Sequence, residues 1–190
     1  MAIALGSLAI DEVVVSPLRR ARQTAVPLLH ALGRDEVIEP WLHEIREPDW
    51  HGTSAEMAAK AYADERLRPA EDRWTGVPGG EASRDFVERV RAGGTAFLDE
   101  RGIYRSKQVL PVWHMDESEA RIVVVAHAGT NGVVLCLLLG LEPVPWEWDR
   151  FVTGHASITR LETVAIGDGH TFSLTRLSDV EHLPVDLRTR

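Results

Sequence analysis

Cysteine, lysine and long apolar runs are scarce in this sequence of 190 residues, and two of these shortages exclude a class of protein. A single cysteine, Cys136, excludes a disulfide framework and any Cys-x-x-Cys site. No run approaches the roughly 18 apolar residues that a membrane-spanning helix needs. No signal peptide is evident, so the cytoplasm is the expected location. Lys60 and Lys107 are the only lysines, and we attach no function to the preference for arginine.

The charge balance narrows the range of partners. A formal net charge of −8 argues against a general nucleic-acid or membrane-surface role, so we expect neither partner. An anionic small molecule remains compatible with this charge if arginines form a local basic pocket. The sequence contains no phosphate-binding G-x-x-x-x-G-K-[ST] loop, no G-x-G-x-x-G and no G-x-S-x-G. The oligomeric state is left open, and a dimer is one option.

The clearest pattern lies at residues 121–141, which read as strand, tight turn and helix. Residues 122–126 are apolar and mostly β-branched, as in a strand buried on both faces. Residues 133–139 are apolar again and precede Gly140, which suits a helix end. His127 then lies at the carboxyl end of a strand and the amino end of a helix, where anionic ligands bind. The alternative is a histidine that caps the turn and contacts no ligand.

A second strand and helix follow the same order near the start of the chain. Residues 12–15 predict a short strand, and a helix is expected from there to Leu32, with Gly33 as its end. Arg19, Arg20 and Arg22 fall in the first helical turns, where the helix dipole disfavours cations. A bound anion would offset that cost, and arginine suits phosphate. The alternative is a solvated basic face.

The remaining patterns complete one domain over residues 1–190. Residues 2–5 look like the tail of a helix, so we expect the chain to begin inside an element. A third short strand is predicted at 37–39, helices at 53–67 and 81–100, an irregular connection at 104–120, and a turn at 143–148. Strands are predicted at 151–160, 161–166 and 170–177, the last two as a hairpin. This alternation predicts an α/β fold with helices on both faces of a mostly parallel sheet, with the hairpin at its edge.

The loop at 41–52 is rich in tryptophan, histidine and carboxylates, which favours a functional role. His43, Glu44 and His51 are close in sequence, but their spacing fits no established metal site, so we predict no metal.

Several motifs occur in a family-specific order. They are S-P-L-R-R-A-R-Q-T at 16–24, L-H-E-I at 42–45, D-W-H-G at 49–52, G-G-E at 79–81 with R-V at 89–90, and V-V-A-H-A-G at 124–129. Their order and spacing resemble the histidine phosphatase superfamily, also called phosphoglycerate mutase-like. The resemblance is closest to the bacterial broad-specificity and α-ribazole phosphatases. It implies a three-layer α/β/α fold and hydrolysis of a small phosphorylated metabolite through phosphohistidine.

The resemblance also implies roles for individual residues. Arg20 corresponds to the phosphate-binding arginine, Glu44 to the general acid and base, and His127 to the second pocket histidine. The N–H of Ala128 or Gly129 is expected close to the phosphate. Trp41 and Trp50 are expected to give Glu44 apolar surroundings. Neither a metal nor an organic cofactor is implied. Sugar phosphates, α-ribazole phosphate, phosphoglycerates and nucleotides all remain possible substrates.

The sequence departs from the family pattern at one point. No Arg-His-Gly, the motif that supplies the nucleophilic histidine on the family's first strand, occurs in it. We expect a phosphomonoester hydrolase whose N-terminal strand is missing from the sequence through truncation. The alternatives are a non-catalytic protein that binds phosphoryl ligands, a mutase-type phosphotransferase, a truncated remnant that does neither, or a chain completed by a partner.

Overall fold

A parallel sheet with the strand order β2-β1-β5 lies at the centre of the computed structural model, which describes residues 2–107, 109–115 and 120–189. Its strands are β1 (Glu12–Val15), β2 (Val37–Ile38) and β5 (Ile122–Val125). Val15 lies opposite Val125, so β1 and β5 end at the same edge of the sheet. The turns that follow β1 and β5 therefore meet there.

Helices cover both faces of this sheet, which confirms the predicted α/β fold. The α-helices of the described residues are α1 (Ala2–Leu5), α2 (Arg19–Leu32), α3 (Ala55–Arg66), α4 (Ser83–Asp99), α5 (Ala128–Leu139) and α6 (Glu147–Arg150). Side chains of β1 alternate between the faces. Val13 and Val15 pack in a buried cluster with α2. Val14 packs in a second cluster that includes Phe97 of α4 and Leu137 of α5.

The predicted hairpin belongs to a second, antiparallel sheet with the order β3-β4-β7-β6. It consists of β6 (Ile158–Ile166) and β7 (Gly169–Asp179). The other two strands, β3 (Tyr104–Arg105) and β4 (Trp113–His114), fall in the segment 104–120 that was predicted to be irregular. They form because β4 pairs with β7, and Trp113 is buried with its ring edge-on to Phe172. Residues 108 and 116–119 of this segment lie outside the described residues.

Helix α5 begins at Ala128, directly after His127, where its amino end was predicted. Two other predicted boundaries were wrong, for local reasons. The strand predicted from residue 151 begins at Ile158, because Ala156 turns the chain with a φ of 54°. Residues 147–150, placed partly in a predicted turn, form the short helix α6. Among the described residues, no helix is both long and apolar enough to cross a membrane.

Candidate active site

His127 lies between β5 and α5 and makes a side-chain contact through each ring nitrogen. It is the extended N-cap residue of α5 and is 9% exposed. Its Nε2 lies 2.8 Å from the hydroxyl oxygen of Ser16, the residue that follows β1. Arg20, in the first turn of α2, donates from Nε to the Nδ1 of His127 at 3.2 Å. The turns after β1 and β5 thus form one cluster of polar side chains.

The contact with Arg20 determines the protonation of the ring. An arginine Nε–H can only donate, so Nδ1 of His127 accepts and the ring is neutral with its proton on Nε2. Burial, then the neighbouring charges of Arg20 and His43, lower the pKa of His127 from 6.5 to about 4. The imidazole therefore remains neutral at physiological pH.

The carboxylate of Glu44 is bound to the amino end of α5. Its Oε2 accepts from the N–H of Gly129 at 2.9 Å, and its Oε1 accepts from the N–H of Thr130 at 3.1 Å. The Thr130 hydroxyl lies 3.2 Å from the same Oε1, and the N–H of Ile45 donates to it at 3.0 Å. A helix amino end offers free N–H groups and positive potential to an anion. In α5 these groups hold the chain's own carboxylate.

Arg89 of α4 fixes the segment that carries Glu44. Its Nη1 donates to the carbonyl oxygens of Trp41 and His43, both at 3.0 Å. Its Nε and Nη2 form a two-pronged ion pair with Glu81, with both contacts at 2.9 Å. Burial acts to raise the pKa of Glu81, but hydrogen bonds and charges from Arg89 and Arg46 outweigh it and lower that pKa. The partly buried ion pair thus holds Arg89 in place, and the hydrogen bonds of Arg89 anchor the backbone on either side of Leu42.

Helix α4 also approaches this segment closely, which accounts for Gly93 in its middle. A Cβ on Gly93 would lie 2.2 Å from the Cβ of Trp41. Trp41 packs there against Phe97, with ring centroids 5.9 Å apart. The glycine therefore admits the tryptophan next to the helix backbone.

The structure brings most of the predicted site residues together. Arg20, Glu44, His127 and Gly129 contact one another in pairs, and Ala128 begins the helix between the last two. Arg22 does not join them, because its Nε donates to Glu36 at 2.9 Å on an exposed surface.

Two expectations about this cluster concern Glu44 and Gly129. Trp41 and Trp50 pack against Phe97 and Tyr62, and main-chain N–H groups hold the carboxylate of Glu44. The N–H of Gly129 is bonded to Glu44 here, and its approach to a phosphate stays a prediction. In the described parts of the chain, no group of three metal-ligating side chains occurs.

No role was predicted for Ser16, Thr130 or Arg89. Ser16 contacts His127 and Thr130 contacts Glu44, whereas Arg89 holds the backbone just before Glu44. Ser16 and Arg89 lie inside the motifs at 16–24 and 89–90. Those motifs could therefore have pointed to both residues. Thr130 follows its motif by one residue, and nothing in its own pattern marked it.

The chain belongs to the histidine phosphatase superfamily. The model of its branch 1 matches residues 1–179, and this confirms the resemblance seen in the motifs.

Two relatives from Mycobacterium tuberculosis show how far the similarity extends. A bifunctional protein is 33% identical over 152 residues, which cover 80% of this chain and 40% of that protein. A glucosyl-3-phosphoglycerate phosphatase is 32% identical over 136 residues, which cover 70% of this chain and 56% of that enzyme. The chain thus spans about half the length of these relatives.

Solved structures share the fold over nearly the whole chain. The mycobacterial glucosyl-3-phosphoglycerate phosphatase in complex with inorganic phosphate has a TM-score of 0.66 and 28% identity, covering 93% of this chain and 81% of that one. The α-ribazole phosphatase of Shigella flexneri has a TM-score of 0.65 and 20% identity, covering 94% and 78%.

Proposed function

We propose that this protein is a phosphomonoester hydrolase acting on a small phosphorylated metabolite. The observation that carries the proposal is the convergence of Arg20, His127 and the amino end of α5 at one edge of the sheet. A phosphoryl group bound there spreads its charge over oxygens that face a cation and main-chain N–H donors. The phosphatase relatives support this chemistry.

Arg20 is the main anion-binding group in this proposal. Its Nε donates to His127, and among the described residues neither of its Nη atoms contacts an acceptor. These two nitrogens can therefore hold two oxygens of one phosphoryl group.

Glu44 is the proposed general acid, a role worth about 10²- to 10⁴-fold in rate. A bound phosphoryl group competes with its carboxylate for the N–H groups of Gly129 and Thr130. Displaced from the helix, the carboxylate lies beside the ligand, takes up a proton from solvent and donates it to the leaving oxygen.

The nucleophile is assigned to a histidine in an Arg-His-Gly segment, which is not among the 190 residues. His127 is unsuited to that role because both of its ring nitrogens are engaged. The engagement of both ring nitrogens of His127 favours a second candidate function, in which the chain binds phosphoryl ligands without hydrolysing them. Intact mass measurement of the protein from its native cells separates the two, since only a longer chain with Arg-His-Gly can follow the phosphohistidine route.

The binding half of the proposal can be tested on the 190-residue chain by titrating it calorimetrically with inorganic phosphate. We expect binding in the unmodified chain and in Arg22→Ala, and loss of binding in Arg20→Ala. Arg22 is a matched control because it lies on the same helix but pairs with Glu36. Equal affinity in all three proteins would overturn the assignment. Glucosyl-3-phosphoglycerate is the first substrate to test for hydrolysis, given the relative that bears its name.

A further inference from the structure

Ser16 is a fully buried residue in the turn between β1 and α2, and its hydroxyl has two neighbours. The N–H of Leu18 donates to its oxygen at 3.3 Å, and the Nε2 of His127 lies 2.8 Å from it. A serine hydroxyl has one hydrogen to donate and two lone pairs that accept. It can therefore keep the bond from Leu18 and still face the imidazole either as acceptor or as donor.

In the structure the hydroxyl faces the imidazole as an acceptor. Arg20 donates to Nδ1 of His127, so the ring proton resides on Nε2 and points to Ser16. The two lone pairs of Ser16 are then taken by Leu18 and His127. This arrangement leaves His127 with no N–H for a phosphoryl oxygen.

We propose that Ser16 is a positioning residue that lets His127 exchange one neutral tautomer for the other when a phosphoryl group binds. The inference rests on the proposed function. With ligand present, Arg20 releases Nδ1 and contacts the phosphoryl oxygens. Nδ1 then carries the proton and donates to one of those oxygens, and the hydroxyl of Ser16 rotates to donate to the bare Nε2.

The exchange binds no net proton. One proton leaves Nε2 for solvent and one is gained at Nδ1, while the hydroxyl keeps its own. Burial of the ring and the nearby charge of Arg20 disfavour the alternative, a doubly protonated imidazolium. Alanine can support neither arrangement, whereas threonine has the same hydroxyl chemistry.

Nitrogen-15 NMR of the 190-residue chain, with and without inorganic phosphate, observes the exchange directly. The His127 signals are assigned by their loss in His127→Gln. Without phosphate we expect the proton on Nε2, and at saturating phosphate we expect it on Nδ1. A proton that stays on Nε2, or protons on both nitrogens, would overturn the proposal.

A set of variants tests the role of the hydroxyl. We expect Ser16→Ala to weaken phosphate binding about tenfold, the effect of one hydrogen bond, and Ser16→Thr to restore most of it. Ser83→Ala is the control, because Ser83 is also buried but lies at the start of α4. Phosphate affinity in Ser16→Ala equal to that of the unmodified chain would overturn the proposal. If Ser16→Ala does not fold, the NMR result on the unmodified chain decides.

The failures of the two proposals are distinguishable. If the unmodified chain does not bind phosphate, both the proposed function and this inference are overturned. If phosphate binds and the His127 tautomer does not change, only this inference is overturned.

Discussion

The Nε of Arg20 donates a hydrogen bond to the Nδ1 of His127 at 3.2 Å, linking residues 107 positions apart. The bond requires a neutral imidazole, because a protonated Nδ1 would have no lone pair to offer. It also orients a guanidinium whose terminal nitrogens face no acceptor in the described part of the chain. The two side chains thus form one unit, in which the histidine orients the cation that the proposed ligand needs.

Arg20→Lys should weaken inorganic phosphate binding about tenfold or more, although it preserves the charge. Lysine has one nitrogen, so it cannot hold two oxygens of one anion as the planar guanidinium does. Calorimetric titration measures the change. Arg22→Lys is the control, and we expect its affinity to match that of the unmodified chain. Equal affinities for Arg20→Lys and the control would refute the two-pronged contact.

The depressed pKa of His127 makes stability fall in mild acid. The pKa is 6.5 in the unfolded chain and about 4 in the folded one, so the unfolded state takes up the proton first. This contribution to stability is complete above 6.5 and is lost as the pH falls towards 4, to a total of about 3 kcal/mol. Urea unfolding of the unmodified chain and of His127→Gln at several pH values isolates the contribution of His127 to the unfolding free energy. Parallel pH profiles would contradict the prediction.

The sequence allowed Arg20 and His127 to be placed correctly because both follow short apolar strands. Parallel strands end at one edge of a sheet, so two local patterns were sufficient to bring the residues together. Glu44 was predicted to be a site residue from its motif alone. Its bonding to α5 spans 85 residues and depends on a non-periodic loop, so no local pattern could predict it.

In the second sheet, too, local patterns predicted only the contacts between residues that are close in sequence. The hairpin of β6 and β7 was readable from alternating residues around a glycine turn. Strands β3 and β4 were not, because each has two residues and forms by pairing with distant partners. Trp113 could have been a signal, since a buried aromatic in a polar stretch needs packing partners.

Glu44→Gln should change phosphate binding and hydrolysis in opposite directions. Removing the negative charge removes its repulsion of a bound dianion, so we expect inorganic phosphate to bind about tenfold tighter. The amide is a poor acid, so hydrolysis by a catalytically competent form should fall about 10²- to 10⁴-fold.

Glu56→Gln is the matched control, because it makes the same charge change on an exposed turn of α3. Calorimetry and a phosphate-release assay supply the two readings. If Glu44→Gln weakens phosphate binding, the carboxylate does not compete with the ligand for α5.

Arg89→Lys should cost about 2 kcal/mol of unfolding free energy at neutral pH. Lysine cannot keep the two-pronged pair with Glu81 and also donate to the carbonyl oxygens of Trp41 and His43. The pKa of Glu81 is lowered from 4.5, so its pairing stabilises the fold above that pH and is lost as the pH falls through the lower folded value. The deficit of the variant should therefore shrink in acid.

Urea unfolding at neutral and acid pH tests this prediction. Arg91→Lys is the control on the same helix, since Arg91 pairs with an exposed Glu142 at 3.7 Å and such pairs contribute little. A deficit in Arg89→Lys no larger than that in the control would show that the segment before Glu44 is held by other contacts.

Gly129→Ala tests the bond between Glu44 and α5 without altering any charge. A Cβ at this position would lie 2.8 Å from Oε1 of Glu44 and 3.0 Å from Cε3 of Trp148, so the carboxylate must shift. We expect a loss of about 2 kcal/mol from strain and weakened hydrogen bonds. In a Glu44→Ala background the carboxylate is absent, so the same substitution should cost less than half as much.

The double-mutant cycle, measured by urea unfolding, gives the coupling between the two positions. Gly132→Ala is the control within α5, because its Cβ would lie 2.8 Å from the Cβ of Glu147 and not near Glu44. Its cost should be the same in both backgrounds. If Gly129→Ala is equally costly with and without Glu44, the carboxylate is not what limits space at the amino end of α5, and Trp148 is.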